Sequence, residues 1–330
     1  MPVFGIVPGN VHVSVSFLFG GFCNAENVKQ QFALRVLSTA ALMAMVSSIA
    51  TAAFADTYDL TKGSVDILAE GGKQYITQWE DKGNDTCVKD GEGKEIRDRE
   101  DSDITLTTKD ETTDETKTTS NTVTITAEDG NTANVTLQDV DIRQPDSYWS
   151  GNTDPAPIEI KGNGDTNLEL NGNNTVLSGN KKHAGIEKAD VNGTGTLTIK
   201  DDVNDNGKLL AGGYDSGAGI GGGDGEFADT SNITITGGKI TASGGYYGAG
   251  IGGGEGGNAA NIRIEGNADV AAFGNGGAGI GSGYQSNGNS DITITDHATV
   301  EAASKDACGI GDGHNAVSYT HLRAHETEAD

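Results

Sequence analysis

Beyond Ala184 the chain sets apolar against polar residues in short bursts that return at a fixed interval. Gly217-Ala218-Gly219-Ile220-Gly221-Gly222-Gly223 recurs as Gly248-Ala249-Gly250-Ile251-Gly252-Gly253-Gly254 and as Gly277-Ala278-Gly279-Ile280-Gly281-Ser282-Gly283. An altered copy reads Ala307-Cys308-Gly309-Ile310-Gly311-Asp312-Gly313, and the steps are 31, 29 and 30 residues. The first three copies are each followed by an alternating triplet (Ile233-Thr234-Ile235, Ile262-Arg263-Ile264, Ile292-Thr293-Ile294) and then by an apolar piece marked by Ile240, Val270 and Val300. Alternation with period two predicts strands, and a constant step of this size predicts a repeat architecture. Alternate residues face one side of a strand, so Ala218, Ile220, Ile233, Ile235, Ile240 and Ala242 are expected inside. Thr234, Arg263 and Thr293 are expected outside.

A weaker copy precedes these: Ala184-Gly185-Ile186, Leu197-Thr198-Ile199 and Leu209 to Ala211. Further upstream, Ile104-Thr105-Leu106, Val123-Thr124-Ile125, Val135-Thr136-Leu137, Ile158-Glu159-Ile160 and Leu168-Glu169-Leu170 carry the same alternation between Gly/Asn/Asp turns. Lys109 to Ser120 is charged and Thr-rich and reads as a solvated loop. No helical periodicity interrupts the series. Near-identical units stack best in parallel, each strand on its own copy one turn later, so residues 104–316 are expected to form a right-handed parallel β-helix with ~30-residue rungs, regular from about 184. Residues 56–103 are expected to cap it or to form irregular first turns, because an open rung exposes core and strand edge. Asn232, Asn261 and Asp291, each just before a triplet, should stack as a ladder.

Composition narrows the functional classes. Aromatic residues are 5% of the 330-residue chain and glycine supplies 50 positions, so the core must be built from Ile, Val, Leu and Ala. The formal charge of −26 argues against a nucleic-acid partner, which needs a basic footprint. Of three cysteines, Cys23 precedes the cleavage site described below, and Cys87 and Cys308 lie too far apart along a linear solenoid for a disulfide between them to be expected.

The two ends read differently from the middle. Residues 28–55 have the form of a secretory signal peptide, with Lys29 and Arg35, an apolar stretch from Val36 to Ile49, and an Ala53-Phe54-Ala55 cleavage site that leaves Asp56 first. With that leader removed, no transmembrane segment is expected. Residues 1–27 read as translation upstream of a true start near Val28. Val317 to Thr327 matches the translation of a transposase-type sequencing adapter, so 317–330 is expected to be foreign to the natural protein. The spacing of His321 and His325 is accordingly not taken as a metal motif.

The repeated G-A-G-I-G-G-G phrase and its continuation from Asn232 to Ala242 resemble the secreted right-handed parallel β-helix proteins of Gram-positive anaerobes, described as adhesin-like or carbohydrate-binding. The likeness spans about Ala156 to Asp312. It implies a cell-surface location, polysaccharide contact and, in some relatives, calcium.

Three functions follow as expectations. The first is a non-enzymatic surface protein whose outward glycines form a flat stripe, with Tyr214, Tyr246, Tyr247 and Tyr284 near the turns as glycan contacts. Against it stands the simpler role of glycine in tight corners and close stacking. The second is calcium held by Asp224, Glu255 and Asp312 after the glycine runs, since hard oxygen ligands suit that ion; no other cofactor is expected. Its alternative is a set of solvated acidic turns. The third, a polysaccharide lyase, needs a carboxylate cluster with a basic residue nearby, for which Arg263 and Lys239 are the available groups. Neither sits in a distinctive motif, and no G-x-S-x-G or phosphate loop occurs, so an enzyme is not expected.

Overall fold

In the computed structural model, residues 56–110, 112–146, 155–287, 289–316 and 319–324 are described. The leader expected over 28–55 and the segment 1–27 lie outside them, as do 325–330. The described chain is all-β apart from three short 3-10 turns. Its strands form three sheets of nine, eleven and six members, here sheets A, B and C. The path repeats in the order B, A, C: Ile220–Gly221, then Thr230–Ile235, then Lys239–Ser243, and each rung lies on the one before.

Pairing is parallel and in register. Ile220 pairs with Ile251, Ile251 with Ile280 and Ile280 with Ile310 in sheet B, while Ile233 pairs with Ile262 and Ile240 with Val270 in sheets A and C. The chain is therefore a parallel β-solenoid of about six turns with rungs of ~31 residues. The alternation of the sequence dictates its interior, for Ala218, Ile220, Ile233, Ile235, Ile240 and Ala242 are all fully buried. Each Ile so placed contributes about 1.5–3 kcal/mol of burial. Arg263 is exposed and Thr234 half-buried, as their outward positions require.

Parallel pairing starts ahead of Ile104. Thr57–Asp59 lies beside Ile104–Thr107 in sheet A, and Ser64–Glu70 lies beside Val123–Ala127 in sheet B. The charged residues between these strands conceal the continuity. Ser64–Glu70 also forms an antiparallel hairpin with Lys73–Asp81, turning at Gly71 and Gly72, both at positive φ (59° and 77°). Two successive left-handed residues suit a tight hairpin turn, and the second strand covers an edge of sheet B that would otherwise be open.

At the other end Val300, Ala302 and Ile310 are only partly buried. Tyr319–Ala324 pairs with Asn289–Ile294 in parallel register. Backbone pairing to a strand edge makes no demand on side-chain identity, so this strand does not bear on the adapter match.

The asparagine ladder has two members. Asn232 and Asn261 sit at left-handed φ of 57° and 52°, and the Asn261 amide donates to Asn232 Oδ1 at 2.7 Å. Asp291, in the strand Asn289–Ile294, is not at left-handed φ, and the pairing of that strand with Ala259–Ile264 shifts register between Ala259 and Ile262.

Candidate functional site

The corner where sheet C turns into sheet B gathers the side chains of interest. After the strand Lys239–Ser243 the chain runs Gly244-Gly245-Tyr246-Tyr247 and enters the glycine phrase; after the phrase comes Glu255. The turn before each phrase is bonded to the turn after the next one. Glu255 N–H donates to the Ser216 carbonyl (2.9 Å), Tyr284 N–H to the Tyr247 carbonyl (2.9 Å), and Gly256 N–H to the Tyr284 carbonyl (2.7 Å). This interlock brings residues from separate rungs to one surface.

Three tyrosine rings and a histidine follow one another there. The Tyr246 and Tyr247 rings are 4.7 Å apart at 80°, Tyr247 and Tyr284 are 5.0 Å apart at 44°, and Tyr284 and His314 are 5.8 Å apart at 66°. Tyr246 is 54% exposed, and His314 is exposed as well. Tyr247 and Tyr284 are half-buried. The rings pack on each other edge-on or tilted, the arrangement favoured by aromatic quadrupoles, and so make a ridge instead of a flat platform. Tyr214 stands half-buried in the same turn one rung earlier, its carbonyl accepting from Gly217 N–H at 3.0 Å. His314 had no signal in the sequence beyond its place in the column of Tyr284.

Burial pushes the Tyr247 hydroxyl above its ordinary range, and the carboxylates of Glu255 and Asp215 add to the effect, as do the neighbouring tyrosines. Asp215 is itself pushed up by burial; Lys181 opposes the shift and Asp224 adds to it. Ser216 Oγ donates to Glu255 Oε2 at 2.7 Å.

The glycine stripe is not a surface. Gly219, Gly250 and Gly279 are buried, and a Cβ on Gly250 would lie 2.6 Å from both the Gly279 carbonyl oxygen and the Phe273 nitrogen. These glycines let the end of sheet C close over sheet B.

The three acids proposed for calcium do not share one column. Ala218, Ala249, Ala278 and Cys308 donate their N–H groups to the carbonyls of Gly222, Gly253, Ser282 and Asp312 respectively, at 2.8–3.2 Å. Asp312 is therefore the counterpart of a glycine within the phrase and is buried, whereas Asp224 and Glu255 follow the phrase and are succeeded in their column by Tyr284 and His314. Among the described residues no group of three or more His, Cys, Asp or Glu side chains is placed to hold a metal ion. The lyase residues are likewise apart. Lys239, in sheet C, pairs with Asp269 at 3.0 Å, and Arg263, in sheet A, donates from Nε to Asn261 Oδ1 at 3.3 Å. Cys87 is buried and Cys308 exposed, and both are free.

Alternation alone did not reveal a polar insertion in the earliest phrase. Glu187 pairs in register with Gly221, and both Glu187 and Lys188 are buried. His183 Nδ1 lies 2.8 Å from Glu187 Oε2, which also accepts from Ala184 N–H at 3.2 Å, while Lys188 Nζ donates to the Gly193 carbonyl at 3.1 Å. Its signal was the departure from glycine at two consecutive positions of the phrase.

Residues 233–255 match the family model of a beta helix repeat. That stretch runs from the sheet A strand through sheet C to the corner, and includes Tyr246, Tyr247 and Glu255. No curated protein and no solved structure matches the chain. Among the described residues no helix is long and apolar enough to cross a membrane.

Proposed function

We propose that this protein is a non-enzymatic β-solenoid, exported to the cell surface or beyond, that holds a polysaccharide along the tyrosine ridge. The observation carrying this reading is the run of Tyr246, Tyr247, Tyr284 and His314 over three successive rungs. In a chain with 8 tyrosines among 330 residues, three at one corner are out of proportion to its core, which is aliphatic but for Tyr58. A tyrosine offers an apolar face and a polar tip, which suits a sugar ring with its C–H face and hydroxyl rim. Rungs rise by ~4.8 Å, so the ridge runs along the solenoid axis and suits an extended polymer. The leader expected over 28–55 supports export.

Affinity electrophoresis through gels containing soluble plant, fungal and bacterial glycans tests the reading. Retardation by at least one glycan is expected, and it should be lost when Tyr246 and Tyr247 are both replaced by Ala. Migration unchanged in every glycan, or retardation indifferent to the double substitution, would remove the proposal.

A further inference from the structure

The corner has a charge as well as a shape, and the charge selects among polymers. Resting on the polysaccharide reading of the same corner, we propose that the preferred polymer is cationic, an amino-sugar chain with free ammonium groups, held by the tyrosine faces together with Glu255 and Asp215.

Glu255 is the central observation. Its Oε2 is held by Ser216 Oγ at 2.7 Å, which orients the carboxylate. Among the described residues it has no Lys, Arg or His within ion-pair distance. Tyr247 N–H donates to the Asp215 carbonyl at 2.8 Å and Glu255 N–H to the Ser216 carbonyl at 2.9 Å, so two acidic residues share the turns that carry the middle ring of the ridge.

The surroundings are poor in compensating charge. Residues 204–316 contain 13 acidic residues against Lys208, Lys239, Arg263 and Lys305. Lys239 pairs with Asp269, and Arg263 stands on sheet A beside Asn261. The nearest cations at the corner are Lys181, beside Asp215, and His183, bonded to Glu187, both from the rung below; His314 stands at the far end of the ridge.

A sugar seated on Tyr247 takes water away from Glu255. Desolvating a carboxylate costs free energy unless the incoming group brings a donor or a positive charge. A neutral sugar can supply only uncharged hydroxyl or amide donors. A uronate or phosphate polymer adds repulsion. An ammonium group offers charge-assisted hydrogen bonds to Glu255 and attraction to the negative faces of the tyrosine rings, which bind cations by their quadrupole. Both gains are available at one place only to a cationic ligand. A lysine-rich peptide would share the charge, but it lacks a rigid ring face to lie on Tyr246.

Titration calorimetry with a glucosamine hexamer, its fully N-acetylated counterpart, oligogalacturonate and poly-lysine tests the inference. The glucosamine hexamer should bind about tenfold more tightly than the acetylated one, a difference of about 1.4 kcal/mol, and oligogalacturonate not at all. The margin should narrow as salt is raised from 0.05 to 0.5 M, because the corner is solvent-accessible and screening shortens the reach of its charges. Glu255→Gln, which keeps an acceptor for Ser216, should bring the ratio of the two hexamer affinities toward one. Tyr246→Ala, at an exposed ring, should weaken both hexamers without disturbing the fold. Equal affinity for the two hexamers would overturn the cationic preference and leave the polysaccharide reading standing. Poly-lysine bound as tightly as glucosamine, and indifferent to Tyr246→Ala, would replace the amino sugar with simple charge attraction. Absence of binding to every saccharide here and in the gel assay would bring down both readings.

Discussion

The two halves of the solenoid share one core and are fastened by different means. Between Asp56 and Val203 the work falls to side chains. Among the described residues every ion pair except Lys239–Asp269 lies there, including Lys73–Glu100, Arg99–Asp90 and Lys200–Asp202. The sheet B strands that stack in parallel ahead of Ile186 are Ser64–Glu70, Val123–Ala127 and Ile158–Lys161, long enough to present an outward face. From Ile186 onward each sheet B strand has two residues, and backbone replaces side chain. Gly221, Gly252, Gly281 and Gly311 stand in one column at φ of 132°, 136°, 138° and 122°. A Cβ on Gly252 would lie 1.9 Å from the Gly281 carbonyl oxygen. Thus the regular half gives up variety at the wall and gains a tight corner, which is where the tyrosines project. The irregular half keeps long strands, and its exposed ion pairs, such as Lys73–Glu100, contribute little each.

The sharpest way to break this contrast is Gly252→Ala. Both the conformation and the space are denied to a side chain, so a loss of about 4 kcal/mol or more is expected in urea unfolding. Gly256→Ala serves as the comparison. It has φ 81° with nothing within 4 Å of an added Cβ, and should lose about 1 kcal/mol. Equal losses would mean that close backbone approach is not what holds the second half together.

Lys188 lies at the boundary between the two regimes, a buried ammonium where the next rung has glycine. Lys188→Met should stabilise the protein by about 2 kcal/mol at pH 7, since desolvation of the ammonium outweighs its hydrogen bond to the Gly193 carbonyl and its 3.9 Å approach to the partly exposed Asp190. Burial lowers the Lys188 pKa from its ordinary value of 10.5. In the window between the lowered folded value and 10.5 the unfolded chain binds more protons than the folded one, so the wild type gains stability as pH rises through it. The advantage of Lys188→Met should therefore shrink toward pH 10.5, read as converging urea midpoints. An advantage that is flat with pH would show that the ammonium is not the cause.

Asn261 gives the smallest effect. Asn261→Ala should lose about 1 kcal/mol from its left-handed backbone, plus the hydrogen bonds its side chain donates to Asn232 and accepts from Arg263. Asn261→Gly should recover the backbone part, and thermal melting of the pair separates the two contributions. If both variants melt together, the side-chain ladder outweighs the conformation.

Much of the fold was legible because the relevant interactions are local or strictly periodic. Ile220, Ile233 and Ile240 point inward as a consequence of strand alternation. Their partners Ile251, Ile262 and Val270 follow from the repeat step. The candidate site was legible only by residue type. Tyr246, Tyr247 and Tyr284 stood near turns in the sequence, and nothing there joined the turn before one phrase to the turn after the next. Asp312 is the converse case: the alignment of the phrases sets it opposite Ser282 and not with Asp224 and Glu255, and the backbone pairing agrees.

The sequence by itself determined the architecture of this protein: three strands per rung, their inward residues and their parallel stacking. Alternation and a near-constant step suffice for that, because each strand meets its own copy. Only the tertiary structure decided which glycines are covered and that tyrosines of successive rungs make one ridge beside Glu255. Those depend on how two turns interlock across a rung, a geometry set by carbonyl and N–H partners far apart in the chain and carried by no side-chain pattern.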